Sequence, residues 1–445
     1  MTKDMTNGNP SKILFCFAMP MVLGNIFQQF YIIIDSVVVG NFVSDKALAA
    51  VGASYPITFV FISIATGASI GCSVVISQMF GAKYIGKMKT AIHTSLISIA
   101  VFSFILMLIG LLSSRTVLSL LKTPIDIFEN ANIYMQIYFM GVVFLFIYNV
   151  TTAAFNALGD SKTPLCFLIC SSILNVVLDL LFVIKFNMGV SGVAYATLIA
   201  QGVSAISSLA YLLKKVRTIK TDEEYKLFDL IILKNMCRIA IPSIIQQSIV
   251  SIGNLFVQAL VNGYGWATIA GYAAATRIDS ITIMPMVNLS SAVSTFTAQN
   301  VGARKNERVK SGYKSALVMI GVFCACAALI LFVFGSKLIG MFVDSSANQM
   351  VINTGVEYLR VVSIFYFLMG LMVITNGVLR GSGDVKVFMF SSLTNLSTRI
   401  IFAYTLACLI GQRAIWWAIP LGWTFASAIS IIRYRSGKWK GKAVV

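Results

Sequence analysis

Long apolar segments separated by short polar turns follow one another along almost the whole chain. A helix needs about 20 apolar residues to cross a bilayer, and the pattern contains twelve segments of about that length. Six lie at 12–39, 52–80, 91–113, 131–154, 164–184 and 191–213, and six more at 239–262, 267–300, 315–334, 357–378, 387–410 and 414–432. The pattern therefore predicts an all-α integral membrane fold with twelve transmembrane helices.

The two sets of six spans share short motifs at a nearly constant separation. The matches, 220 to 224 positions apart, are Gln78-Met-Phe-Gly-Ala-Lys83 with Gln299-Asn-Val-Gly-Ala-Arg304, Pro20 with Pro242, Gly159-Asp160 with Gly383-Asp384, and Ser171-Ser172, Asn175 and Phe182 with Ser391-Ser392, Asn395 and Phe402. Such self-similarity indicates an internal duplication. Because each half has an even number of spans, we expect two six-helix bundles related by a pseudo-two-fold axis along the membrane normal. The predicted division is an N-terminal bundle over 1–213, a cytoplasmic linker over 214–238, and a C-terminal bundle with a basic tail over 239–445.

Composition and charge agree with a membrane protein. Hydrophobic residues make up 58% of the 445 and charged residues 11%, against about 45–50% and 25% in soluble domains. The net charge of +18 is placed unevenly: with a cytoplasmic N-terminus, 25 Lys and Arg fall on the inside and 6 on the outside. Inside loops of membrane proteins carry this excess, so the charge predicts a multi-pass cell-membrane protein with both termini cytoplasmic and no nucleic-acid partner.

The sequence argues against enzyme chemistry, a metal site and ATP-driven transport. The first apolar segment is too long for a signal peptide and is read as a retained helix. Cys166 and Cys170 share a helix face, but the single histidine, His93, belongs to another span, so no metal-ligand set is complete. A phosphate-binding loop ending in Lys-Ser or Lys-Thr is missing. We expect no cofactor, and an ion gradient as the energy source.

Three acidic residues, Asp35, Asp179 and Asp279, lie inside predicted spans. A carboxylate in the bilayer interior costs at least about 2.5–3.5 kcal/mol, and it normally marks an ion or proton pathway, a cavity or a buried pair. At about 1.5 Å per residue, Asp35 and Asp179 both lie about 8–9 Å below the outer boundary. Asn175 is on the same helix face as Asp179. The next span enters the membrane from the outside and places Thr197 at nearly the same depth. These four residues predict a site for a coupling cation.

The chemistry of this predicted site leaves the ion open. Two carboxylates in a poorly solvated place do not both ionise readily, so one takes up a proton or both share a cation. Amide and hydroxyl oxygens serve either H⁺ or Na⁺, and we favour H⁺. The second half lacks the acidic pair, because Asp179 matches Arg399 by the repeat.

A second polar site is expected in the C-terminal bundle. Asp279 is two residues from Arg277, and side chains at this spacing on a helix point in different directions. Arg277 or Arg399 can therefore neutralise Asp279 only through a tertiary contact. We expect a mainly structural role for Asp279, with a second cation or a substrate contact as the alternative.

At these residues the chain resembles the multidrug and toxic compound extrusion (MATE) family, in its proton-coupled, DinF-like branch, over nearly the whole length. The motifs that carry the resemblance are Tyr31-Ile-Ile-Ile-Asp35-Ser-Val-Val-Val-Gly40, the paired Gln-x-x-Gly-Ala segments, Asn175-x-x-x-Asp179 and Arg277-Ile-Asp279. The resemblance implies a V-shaped pair of bundles that exports organic cations in exchange for H⁺ or Na⁺. It also implies a cation site at Asp35, Asn175, Asp179 and Thr197, and a helix-bending role for Pro20. Acidic ligands that some members carry on spans seven and ten are replaced here by Gln246 and Gln247, with Glu357 only near the outer end of span ten.

The leading expectation is secondary active efflux of amphipathic, often cationic compounds by a monomer embedded in the lipid bilayer, with alternating access between the bundles. An alternative is a lipid-linked saccharide flippase of the same superfamily, which Arg277 and Arg399 favour because it needs a more basic cavity. A receptor or channel without coupled transport is the third class.

Overall fold

The structure is a computed structural model that describes residues 3–342 and 349–444. Every regular element within those ranges is helical. The helices are α1 (Pro10–Phe42), α2 (Asp45–Gly81), α3 (Ile85–Leu120), α4 (Ile125–Ala157), α5 (Lys162–Leu180, continued by a π turn at Leu181–Lys185), α6 (Gly189–Thr218), α7 (Leu230–Asn262), α8 (Trp266–Gly302), α9 (Asn306–Gly340), α10 (Gln349–Ile364), α11 (Tyr366–Ser382), α12 (Val385–Ile410) and α13 (Arg413–Arg435), with a 3₁₀ turn at Lys438–Gly441.

The predicted all-α membrane fold is confirmed. In the described part of the chain, eleven helices are long and apolar enough to cross a membrane, and α10 with α11 forms one further bent candidate. Span ten is the correction, because the sequence pattern predicted one continuous helix over 357–378. The structure breaks it at Phe365, where α10 and α11 meet at 53°.

The chain forms two compact units. Unit 1 comprises Met1–Asp4 and Met19–Ile244, and unit 2 comprises Met5–Ala18 and Ile245–Val445. Helix α1 therefore contributes its first nine residues to unit 2 and the rest to unit 1, and α7 is divided in the same way near Ile244. The units differ from the predicted bundles, because the segments before α1 and α7 are hydrogen-bonded to the opposite sequence half. As a division into two functional lobes, the predicted boundaries stay a prediction.

The predicted linker is mostly helical. Residues 214–218 complete α6, whose last turn carries Lys215 and Arg217, and cations are favourable at a helix C-terminus. Helix α7 begins early because the Asp229 carboxylate accepts from the backbone N–H of Ile231 at 2.8 Å and of Ile232 at 3.1 Å, which is an N-cap. Only residues 219–229 are irregular.

The repeated Gly-Asp motif has one structure in both halves. Gly159 and Gly383 both adopt positive φ, at 78° and 90°, a conformation that glycine tolerates without strain. The aspartate that follows is almost fully buried and pairs with a base on the last helix of its half: Asp160 Oδ2 with Lys215 Nζ, and Asp384 Oδ2 with Arg433 Nε, both at 2.5 Å. The duplication therefore extends from sequence to a specific ion pair.

The Asp160 pair illustrates the balance of forces at this turn. Burial by itself raises the pKa of Asp160, but hydrogen bonds from Lys215 and Thr163, together with the lysine charge, hold the pKa below its ordinary value. Thr163 contributes its backbone N–H at 3.1 Å and its hydroxyl at 2.7 Å. The aspartate thus both pairs with α6 and caps α5.

Candidate functional site

The carboxyl groups of Asp35 on α1 and Asp179 on α5 lie close enough to act directly on each other. Asp179 is fully buried and Asp35 partly exposed. Two ionised carboxylates have no donor between them and repel each other, so this arrangement favours a proton on one of the two. One oxygen of each group, Oδ1, has no hydrogen-bond partner among the described residues. The structure thus brings together the two acids that the depth argument placed at one level.

Asn175 joins this pair to α6. It precedes Asp179 by four residues on α5 and is also buried. With its amide oriented to satisfy both ends, its nitrogen donates to Asp179 Oδ2 at 2.8 Å, and its oxygen accepts from the backbone N–H of Thr197 at 3.2 Å. The four residues predicted from sequence therefore form one connected cluster in unit 1.

Tyr31 and Tyr134 complete the cluster, and neither was among the site residues predicted from the sequence. The hydroxyl groups of Tyr31 and Thr197 are 3.5 Å apart, and Tyr134 on α4 lies close enough to interact electrostatically with both acids. The position of Tyr31, four residues before Asp35 on the same helix face, was a usable signal. Tyr134 had no such signal, because it lies on a different helix, 99 residues after Asp35 and 45 before Asp179 in sequence.

A small opening adjoins the cluster between α4 and α6, with a volume of about 10 Å³. A cavity needs about 10–15 Å³ to hold one water, so this opening has room for a group the size of a water molecule. Its lining includes Tyr134, Tyr138 and Gly141 on α4, and Ala194, Thr197 and Gln201 on α6.

The third membrane carboxylate, Asp279 on α8, has a different environment in unit 2. Tyr366 donates to its Oδ1 at 2.6 Å and Tyr358 to its Oδ2 at 3.1 Å. The charge of Arg399 on α12 also acts on it, and Arg399 in turn approaches the Tyr272 hydroxyl at 3.5 Å. Both oxygens of Asp279 are thus satisfied, which fits the structural role.

The other residues of the predicted second polar site do not join this cluster. The hydrogen bonds and the charge that act on Asp279 come from the two tyrosines and Arg399, and none comes from Arg277, Gln246 or Gln247. Glu357 pairs with Arg413 at 2.6 Å instead. Within the described ranges, no three His, Cys, Asp or Glu side chains converge as metal ligands do.

Asp279 also accounts for the break in span ten. Its two donors lie on opposite sides of Phe365, Tyr358 in α10 and Tyr366 at the start of α11. The break contains neither proline nor glycine, the usual local causes of a kink. A buried carboxylate contacting both helix segments is a tertiary cause, which the apolar pattern does not reveal.

The family model MatE matches residues 20–181 and 242–405, one match in each sequence half. The chain belongs to the MATE family. Its members are transporters, so the chain is a multi-pass membrane transporter and not an enzyme. The two matched ranges begin at Pro20 and Pro242, the prolines that the repeat pairs.

Individual relatives agree over almost the full length of this MATE chain. It is 31% identical to "Probable multidrug resistance protein YpnP" of Bacillus subtilis, over 98% of this chain and 97% of that protein. It is 25% identical to "Probable multidrug resistance protein NorM" of Thermotoga maritima, over 98% and 94%. A solved outward-facing MATE family multidrug resistance transporter has the same fold, with a TM-score of 0.90 at 23% identity over 98% of both chains.

Proposed function

We propose that this MATE transporter exports amphipathic, often cationic small molecules in exchange for H⁺ bound at Asp35 and Asp179. The pair of neighbouring acids carries the proposal, because a shared proton relieves the repulsion between two carboxylates. Asn175 and Thr197 hold Asp179 and link it to α6. Relatives named for multidrug resistance along the whole chain support the substrate class.

Release of the shared proton leaves two like charges in contact inside the membrane, which is unfavourable. A cationic substrate that enters the transporter compensates this charge, so the binding of substrate and the binding of H⁺ oppose each other. Alternating access then converts an inward proton gradient into outward export. Na⁺ is the competing ion, held by the same oxygens.

The same proposal places the chain in the cell membrane with both termini cytoplasmic, supported by the excess of Lys and Arg in the predicted inner loops. It also makes the monomer the working unit, because a single chain supplies all four residues of the acid site. A flippase is not favoured, since Arg399 is engaged by Tyr272 and Asp279 in unit 2.

The test is efflux of a fluorescent organic cation from proteoliposomes driven by a pH gradient or by a Na⁺ gradient, applied separately. We expect the pH gradient alone to drive transport, and Asp35→Asn and Asp179→Asn to remove it. Glu129→Gln is the matched control, because that carboxylate pairs with Arg115 on an exposed surface. Normal transport by both aspartate variants, or transport driven only by Na⁺, would falsify the assignment.

A further inference from the structure

The residues just before α1 are held by side chains of unit 2. Met5 is fully buried although it lies near the chain terminus. Its backbone N–H donates to Gln299 Oε1 at 2.9 Å, and its carbonyl accepts from Asn300 Nδ2 at 3.3 Å and from Arg308 Nε at 3.2 Å. Lys305 Nζ then donates to the carbonyl of Thr6 at 2.9 Å. Gln299, Asn300 and Arg308 thus bind both polar groups of the Met5 backbone, and together with Lys305, which binds Thr6, they form a socket for this segment.

The socket fixes the start of α1 because little flexible chain lies between them. Lys305 Nζ also donates to Asn7 Oδ1 at 3.1 Å, so only Gly8 separates the bound segment from Asn9. The Oδ1 of Asn9 accepts from the backbone N–H of Ser11 at 2.9 Å and so caps the helix. The next turns are packed, with Leu14 fully buried and Phe17 nearly so.

The C-terminal end of helix α1 is also packed, whereas the middle of the helix is loosely packed. Val38 and Val39 lie in a buried cluster with Val183 and Val193 of unit 1. Between the two packed ends, apolar side chains such as Phe30, at 60% exposure, contact little protein. Asp35 lies close to the packed end in unit 1, whereas the socket lies at the end in unit 2.

The second half repeats the arrangement with different atoms. The linker lies along the start of α3: Thr90 and Thr94 accept from the backbone N–H groups of Lys226 and Asp229, both at 3.0 Å. Asp229 caps α7 as Asn9 caps α1, 220 positions earlier. A capped helix start bound to the opposite sequence half is therefore a feature of the duplicated fold. In the second half, the repeated Gln-x-x-Gly-Ala motif has a structural role, because its glutamine, Gln299, binds the segment before α1.

We propose that Gln299 and Asn300 are positioning residues for the coupling site: they hold the start of α1 in unit 2, so that a change at Asp35 moves the helix against a fixed end. This inference rests on the proposed proton-coupled transport. The socket belongs to unit 2 and the acid cluster to unit 1, so we expect loss of the socket to change the rate of the transport step and not the affinity for substrate.

The first measurement reports the socket without transport. A cysteine placed by Met5→Cys is labelled with a water-soluble maleimide in the full chain in proteoliposomes, with the parent, which has eight native cysteines, as the blank. Gln299→Met keeps the side-chain length but removes the acceptor. We expect the Met5→Cys protein that also carries Gln299→Met to be labelled about tenfold faster than the Met5→Cys protein alone. One buried hydrogen bond contributes about 1.4 kcal/mol, which is a factor of ten.

The second measurement is pH-driven transport by the same variants without the added cysteine. Gln299→Met should lower the maximal rate severalfold and leave the half-saturating substrate concentration unchanged, and Gln299→Glu, which keeps an acceptor oxygen, should restore the rate. Lys305→Met, at an exposed position that cannot disturb the core, should give a smaller effect in the same direction. Lys310→Ala, which breaks an exposed pair with Glu307 nearby, is the control and should behave as the parent.

The outcomes separate the two proposals. A parent protein that shows no pH-driven transport refutes the proposed function, while the labelling still tests the socket. Labelling that Gln299→Met does not accelerate refutes the socket. Faster labelling with a parent-like transport rate, or a changed half-saturation without a changed rate, overturns the positioning role.

Discussion

The contact between Asp35 and Asp179 predicts that one proton is exchanged for one monovalent substrate cation. Two carboxyl groups this close favour the form that holds one proton, and loss of that proton leaves two like charges side by side. One proton in and one positive charge out move no net charge across the membrane. The steady-state substrate ratio should therefore follow the pH gradient and ignore the membrane potential.

The magnitudes make this stoichiometry measurable. One proton moving down one pH unit supplies about 1.4 kcal/mol, which supports about a tenfold substrate ratio. Exchange of two protons would support about a hundredfold ratio. It would also move one net charge across the membrane. A potential of 100 mV would then add about 2.3 kcal/mol to the driving force and raise the substrate ratio about fiftyfold.

The assay uses proteoliposomes with a one-unit pH step and a potential set by K⁺ and valinomycin. We expect a ratio near ten that stays the same between 0 and 100 mV, and a ratio of one for Asp179→Asn. Asp279→Asn is the comparison, because that carboxylate has its own tyrosine donors in unit 2 and its variant should keep the parent ratio. A ratio that changes by tens-fold with voltage would refute the one-proton reasoning.

Three further predictions concern stability, measured by thermal unfolding in detergent. Asp160→Asn leaves Lys215 buried without its anion and should lower the free energy of unfolding by about 3–5 kcal/mol. In the parent protein, folding lowers the pKa of Asp160. The stabilisation by this carboxylate is therefore present above about pH 4 and is lost as pH falls through the lowered pKa. Tyr366→Phe removes the 2.6 Å bond to a buried carboxylate and should cost about 1–3 kcal/mol. Gly377→Ala places a Cβ 2.6 Å from a backbone oxygen of α8 and should cost about 1–3 kcal/mol, whereas Gly335→Ala, with open space around it, should be neutral or stabilising.

Each of these expectations has an outcome that contradicts it. An Asp160→Asn protein as stable as the parent at neutral pH would show that the buried ion pair contributes nothing. A Tyr366→Phe protein with unchanged stability would remove the tyrosine from the account of the helix break. Equal effects of the two glycine substitutions would mean that close helix approach does not explain the need for glycine at 377.

The acid site was largely predictable because its signals are local. A charged residue within an apolar run is costly at any depth, so Asp35 and Asp179 are conspicuous in the sequence. The position of Asn175 follows from the four-residue helical spacing, and depth could be counted from the span ends. Tyr134 joins the site from another helix at no fixed spacing, so its presence depends on how α4 packs.

By itself, the sequence determined the apolar helices, their repeat and the asymmetry of acids between the halves. These properties depend on the length of apolar runs and on the residue types at repeated positions. Tertiary structure decided the break at Phe365, the partners of Asp279, and the socket that binds Met5. Each of these depends on hydrogen bonds between residues about 80 to 300 positions apart, and such partners are fixed only when the helices pack.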